Sequence, residues 1–179
     1  MIYLLAGHNL RVDPGAIGVN GRKEARETVA LRKQIAFELT QLQANFKVDN
    51  DNDALRTTLQ KLNTGSGSVV LDLHFNAGVA NANGVEVLVG DDATKEDMLF
   101  AEAILGATID TLGVRNRGIK KEGSTPHKRL GVMRMHGRVC LLEVCFITNA
   151  EDMAAYDANA TELAKKIAHI LYEQDKLST

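Results

Sequence analysis

Val69-Val70-Leu71-Asp72-Leu73-His74 runs through apolar residues with little alternation before it ends in polar ones. A strand wetted on one face would alternate, whereas near-continuous apolarity belongs to an interior strand covered on both faces. Upstream, Leu55, Leu59 and Leu62 recur at helical spacing behind Asp51, Asn52 and Asp53, which offer N-caps. Before them Leu31, Ile35, Leu39 and Leu42 mark a longer helix, reached from an apolar strand over residues 2–6 through a glycine-studded loop over 7–21. Downstream, residues 84–89 alternate as a strand, 96–112 read as a helix, 130–134 as a brief strand, and 139–147 form the most apolar run of the chain. Leu163, Ile167, Ile170 and Leu171 then line one side of a closing amphipathic helix. Strands separated by helices predict an α/β fold, a twisted and mostly parallel sheet flanked by helices.

The bulk numbers agree with one domain over residues 1–179. With 179 residues, 45% of them hydrophobic, the chain is long enough to bury a substantial core, and no repeat, proline-rich linker or low-complexity tract divides it. A net charge of -2 provides no basic field to attract phosphate backbones, so nucleic acid is not an expected partner. No apolar run reaches the length of a bilayer span, and the opening Met1-Ile2-Tyr3-Leu4-Leu5-Ala6-Gly7-His8-Asn9 lacks the basic start and long apolar centre of a signal peptide. The expectation is synthesis in the cytoplasm without an export signal, as a monomer by default. Cys140 and Cys145, five strand steps or roughly 16 Å apart, are expected as free thiols on opposite faces of their strand.

In open α/β sheets, ligands gather beyond the carboxyl ends of the strands. His8 follows the first strand directly and His74 ends the strand 69–74, so adjacent parallel placement would bring both imidazoles to one rim. Each alone reads as an ordinary polar residue at a strand exit; the pair carries more weight. Glu143 stands inside the apolar run Val139-Cys140-Leu141-Leu142-Glu143-Val144-Cys145-Phe146-Ile147. Burying it ionised without a partner would cost several kcal/mol. It is therefore paired with an arginine or backbone amides, associated with a metal, or carried with a raised pKa that suits a general acid/base. Glu24 opens the first helix, where an acid favours the helix dipole, but it also returns a carboxylate towards His8. Two imidazoles and a carboxylate are the ligand set of a catalytic zinc, which keeps one position for water. A further glutamate nearby completes the groups needed for metal-assisted hydrolysis.

With those four positions in view, the sequence resembles the zinc-dependent N-acetylmuramoyl-L-alanine amidases of amidase type 3, nearly end to end. Ala6-Gly7-His8, Asp13-Pro14-Gly15-Ala16-Ile17-Gly18 and Gly21-Arg22-Lys23-Glu24 are similar to the family's first metal-binding loop and its glutamate ligand. Leu73-His74-Phe75-Asn76-Ala77 is similar to its second histidine motif. Asn116-Arg117-Gly118-Ile119-Lys120 and Leu130-Gly131-Val132-Met133-Arg134 resemble the segment before the catalytic strand. Leu142-Glu143-Val144-Cys145-Phe146-Ile147-Thr148-Asn149 resembles that strand itself. The resemblance implies about six strands, one Zn2+ held by His8, Glu24 and His74, Glu143 as catalytic acid/base, and bacterial peptidoglycan as partner. The bond implied is the amide joining the lactyl group of N-acetylmuramic acid to L-alanine.

Several readings stay open on sequence alone. Asn9-Leu10-Arg11 stands where family loops usually carry glycines, and Glu27, three residues after Glu24, competes with it as ligand. Asp72 shares a strand face with His74 and either orients it or is merely solvated or salt-bridged. His127, His136 and His169 read as surface or loop residues, and Asn76 and Asn149 as loop braces. The same ligands would serve a zinc peptidase cutting the stem peptide, and an inactive wall-binding module would keep the fold alone. The compact chain resembles a phage endolysin's catalytic domain; the alternative setting is an exported autolysin.

Overall fold

The computed structural model describes residues 1–126 and 128–177. Strand β1 (Ile2–Ala6) leads through a long loop to helix α1 (Glu24–Gln41), then edge strand β2 (Phe46–Val48) and short helix α2 (Leu55–Lys61). Strands β3 (Val69–Asn76) and β4 (Val85–Val89), helix α3 (Lys95–Leu112), strand β5 (Asn116–Lys121), strand β6 (Arg138–Phe146) and helix α4 (Ala150–Lys176) follow. The six strands form one sheet in the order β2-β1-β3-β6-β4-β5. Every pairing is parallel except β4 with β6, so β4 and β5 run against the other strands.

The two faces of the sheet are covered unequally. Helices α1, α3 and α4 pack on one face, where Leu31, Ile35, Leu39, Phe100, Ile104, Leu163, Ile167 and Leu171 meet Leu4, Leu71, Leu73, Val87 and Leu142. Burying each such side chain contributes about 1.5–3 kcal/mol, so this face supplies most of the driving force. The other face carries a smaller cluster of Tyr3, Leu5, Val70, Leu88, Val132, Met133, Val139 and Leu141, covered by Leu59 and Leu62 at α2. Beyond it the carboxyl ends of β1, β3 and β6 are left open for polar side chains. As expected from their spacing, Leu31, Ile35 and Leu39 are buried, while Leu42 is the C-cap of α1 and only partly covered.

Four expectations need correction. Residues 130–134 form no strand: Gly131–Arg134 is a 3-10 turn, and the successive Val132 and Met133 both pack into the same cluster on one face of the sheet, where strand alternation would send them to opposite faces. Helix α2 is capped by Ala54 without a side-chain bond, because Asp51 pairs with Arg32 and Asp53 with Lys61. Strand β4 is buried along its whole length, not alternately covered, since Glu86 has partners that let it lie inside. Finally, the free and buried Cys140 and Cys145 do not lie on opposite faces. His74 pairs with Glu143 but Asn76 with Phe146, a bulge that advances β6 by one residue and turns both Val144 and Cys145 to the helical side.

Candidate metal centre

Three backbone features deliver the site. Gly7 continues the β1 pairing by donating its N–H to Leu73 O at 2.8 Å, which brings the chain out beside β3. His8 follows with φ 68°, a left-handed conformation that non-glycine residues rarely hold and that recurs at functional sites. The loop then returns through Gly15, whose φ is 67°, and a Cβ there would lie 2.7 Å from both Glu24 Oε2 and His8 Cδ2. Gly7 is just as confined: a Cβ on it would stand 2.3 Å from the His74 ring. Glycine at both positions is what lets the loop close over the side chains.

Glu24, the first residue of α1, bridges the two histidines. Its Oε1 lies 3.0 Å from His74 Nδ1 and accepts the Phe75 N–H at 3.1 Å. Its Oε2 lies 3.2 Å from His8 Nε2 and accepts the Ala16 N–H at 2.9 Å. The two rings meet edge to face with centroids 5.1 Å apart. One donor atom from each of His8, Glu24 and His74 falls within 4.8 Å of the others. Burial alone would raise the Glu24 pKa, but the hydrogen bonds and charges of His74 and His8 outweigh it and hold the carboxylate well below its usual range. Burial likewise works against a charged His8, yet Glu24 and Asp13 leave its pKa raised.

The competing ligand is otherwise engaged. Glu27 takes Arg22 in a bidentate pair at 3.0 and 2.7 Å, and Arg22 goes on to Asp157 of α4. Asp72, buried on β3, lies 3.5 Å from His74 Nε2, on the ring edge away from Glu24. Asp13 Oδ2 approaches His8 Nδ1 to 2.9 Å but off the line a hydrogen bond needs, so that nitrogen stays unsatisfied.

Glu143 lies beside His74 in the β3–β6 register, on the same side of the sheet. The residue keeps some exposure, but its Oε2 is sealed and has no hydrogen-bond partner among the described residues, so neither an arginine nor a backbone amide stabilises it there. Burial pushes its pKa up to about 7, against the pull of His74 and with the help of Glu24, Glu86 and Asp72. Such a carboxyl group exchanges its proton near neutral pH, which suits acid/base work.

Of the other polar residues, Asn149 caps α4 by accepting from Glu151 N and Asp152 N and donates to Ala80 O. Asn76 donates to Glu86 Oε1 at 2.9 Å. His136 and His169 are exposed, and His127 lies outside the described residues. Sequence reasoning passed over Glu86, a carboxylate 7% exposed within an apolar strand. The signal that singled out Glu143, an acid inside an apolar run, was present there too.

The donor set fits zinc: two imidazoles and one carboxylate converge, the carboxylate is held ionised, and a carboxyl group with an unsatisfied oxygen stands alongside. Comparison with known proteins points the same way. A family profile described as N-acetylmuramoyl-L-alanine amidase matches residues 2–172. The chain is 28% identical over 155 residues to the uncharacterized protein YqiI of Bacillus subtilis (strain 168), covering 84% of this chain and 72% of that one. Among solved structures, the catalytic domain of the CD27L endolysin targeting Clostridia difficile superposes with a TM-score of 0.78 at 20% identity over 96% of both chains. The N-acetylmuramoyl-L-alanine amidase AmiC2 of Nostoc punctiforme gives 0.76 at 21% identity, over 96% of this chain and 94% of that one. These structural likenesses establish the shared fold.

Proposed function

Since the chain belongs to the N-acetylmuramoyl-L-alanine amidase family and is thereby an amidase of peptidoglycan, we propose that it cuts the lactyl to L-alanine bond with one zinc ion held by His8, Glu24 and His74 and with Glu143 as acid/base. The observation that carries this reading is the convergence of the three donors within 4.8 Å, beside a carboxyl group in the adjacent register position.

Zinc held by His8, Glu24 and His74 would supply Lewis acidity for amide hydrolysis. The remaining work falls to the chain. Glu24 anchors both imidazoles, Gly7 and Gly15 let the loop close on them, and Asp72 steadies the far edge of the His74 ring. Glu143 takes a proton from the attacking water and returns it to the departing nitrogen of L-alanine, which its pKa of about 7 permits in both directions. The lone sealed Oε2 supports this role, since a purely structural carboxylate would be fully bonded.

The test pairs elemental analysis with release of stem peptides from purified peptidoglycan. About one zinc per chain is expected, with release that chelation stops and zinc restores. Retention of full activity after complete zinc removal would overturn the metal assignment. Products distinguish the reaction: intact stems freed from glycan mark an amidase, shortened stems a peptidase. The biological setting we propose is an endolysin, on the likeness to the CD27L catalytic domain; added protein should then clear suspensions of isolated walls.

A further inference from the structure

A row of charge crosses the sheet from the metal centre. His74 of β3 is in register with Glu143 of β6, and Glu143 with Glu86 of β4. Beyond them, Arg117 and Lys120 of the edge strand β5 reach back to Glu86, whose Oε2 accepts from Arg117 Nε at 2.7 Å and from Lys120 Nζ at 2.6 Å. Its Oε1 accepts from Asn76, so both carboxylate oxygens are engaged. Burial would raise the Glu86 pKa, but Lys120 and Arg117 hold it below its usual value, so the group is ionised at neutral pH.

One carboxylate against two cations leaves an excess positive charge beside Glu143. A single arginine would suffice to neutralise Glu86. The cations are also held ready for another partner. The Arg117 guanidinium lies 4.9 Å over the ring of Phe146 and donates to Asn83 O at 3.4 Å, yet its Nη2 makes no hydrogen bond among the described residues. The Arg117 and Lys120 side chains remain 27% and 35% exposed. A planar guanidinium fixed by stacking, with a free donor, is suited to receive a carboxylate.

The reaction sets the direction in which substrate crosses this row. If the scissile carbonyl meets the His8, Glu24 and His74 side and the departing nitrogen meets Glu143, the stem peptide leaves across β6 towards β4 and β5. Two extended residues span about 7 Å. Neighbouring strands lie about 4.8 Å apart, so β5 is about 10 Å from β6, and Arg117 and Lys120 shorten that gap by reaching back over β4. The second stem residue after the cut bond therefore arrives at the cation pair.

We propose that Arg117 and Lys120 form a carboxylate-binding subsite that selects stem peptides carrying a free acid, rather than an amide, on their second residue. The inference rests on the assignment of Glu143 as proton donor to the L-alanine nitrogen. Salt weakens the selection, because the subsite is partly exposed to solvent.

The test compares zinc-loaded protein on soluble peptidoglycan fragments bearing either D-isoglutamate or D-isoglutamine as second stem residue, with kcat and KM measured separately. The expected result is a preference for the acid of about tenfold in kcat/KM, carried mainly by KM and reduced by added salt. Arg117→Met and Lys120→Met should each reduce the preference, and Glu86→Gln, which removes the countercharge, should widen it. Melting temperature and zinc content confirm that each variant is folded; should Arg117→Met fail that check, Lys120→Met decides. Equal cleavage of both fragments by the wild type, or a preference unchanged in a folded Lys120→Met, overturns the subsite while the amidase reading stands. Release of stem peptide from neither fragment overturns the amidase reading with it.

Discussion

Replacing Glu143 by glutamine separates its chemical role from its structural cost. Its folded pKa of about 7 lies above the ordinary carboxylate value, so the folded state disfavours the charge: the neutral form is fully compatible with folding at low pH, and stability is lost as pH rises through about 7. In metal-free protein above that pH, Glu143→Gln should therefore stabilise the fold by on the order of 2 kcal/mol, read as a higher melting temperature by calorimetry. The same substitution should lower turnover by about a hundredfold or more. A variant neither more stable nor less active would remove Glu143 from both roles. Gly7 makes the complementary case, since no side chain fits there: Gly7→Ala places a Cβ 2.3 Å from the His74 ring. Displacing that ring should weaken zinc binding by about 10–100-fold in competition with a chromogenic chelator. At this scale the sequence was informative where chemistry and context conflict, as with an acid in an apolar run or a histidine at a strand end. It was silent on the left-handed φ of His8 and the stacking of Arg117 on Phe146, which arise from neighbours distant in sequence.

Helices announced themselves better than strands did. Apolar spacing located α3 to within a residue and marked the buried stripe of α1 and α4, because each turns one continuous stripe to the same core, although α4 starts at Ala150, well before its marked stripe. Edge strands β2 and β5 have no such stripe. Phe46-Lys47-Val48 is too short to show a period, and Asn116-Arg117-Gly118-Ile119-Lys120-Lys121 is largely polar because one side of an edge strand faces water. The bulge in β6 was equally hidden, since a one-residue advance is defined only against the partner strand. Helix α3 allows a clean local test. Thr94 and Asp97 form a reciprocal capping box at its start, with Asp97 N donating to Thr94 Oγ1 at 3.1 Å. Thr94→Ala should cost about 1 kcal/mol in denaturant unfolding and leave zinc content unchanged, because α3 packs on the face opposite the site. A loss of zinc in that variant would show the two faces to be coupled.

Across the whole molecule, one face of the sheet makes the fold and the other makes the site. The candidate metal centre draws on the loop after β1, on α1 and on β3, so an ion bound there would tie together elements far apart in the chain. Zinc at a hundred times its Kd should stabilise the protein by about 2.7 kcal/mol, and chelation should lower the melting temperature accordingly. An unchanged melting temperature would mean that His8, Glu24 and His74 bind no metal in the native state. By itself the sequence determined the α/β class, the main helices and three of the candidate site residues, His8, His74 and Glu143, because periodicity and misplaced polar groups are local signals. Only the tertiary structure decided that β4 and β5 run against the other strands, that Glu24 and not Glu27 meets the histidines, and that Arg117 and Lys120 gather on Glu86 beside Glu143. Strand order and side-chain partners are pairings between distant segments, and no spacing along one segment encodes which of them will meet.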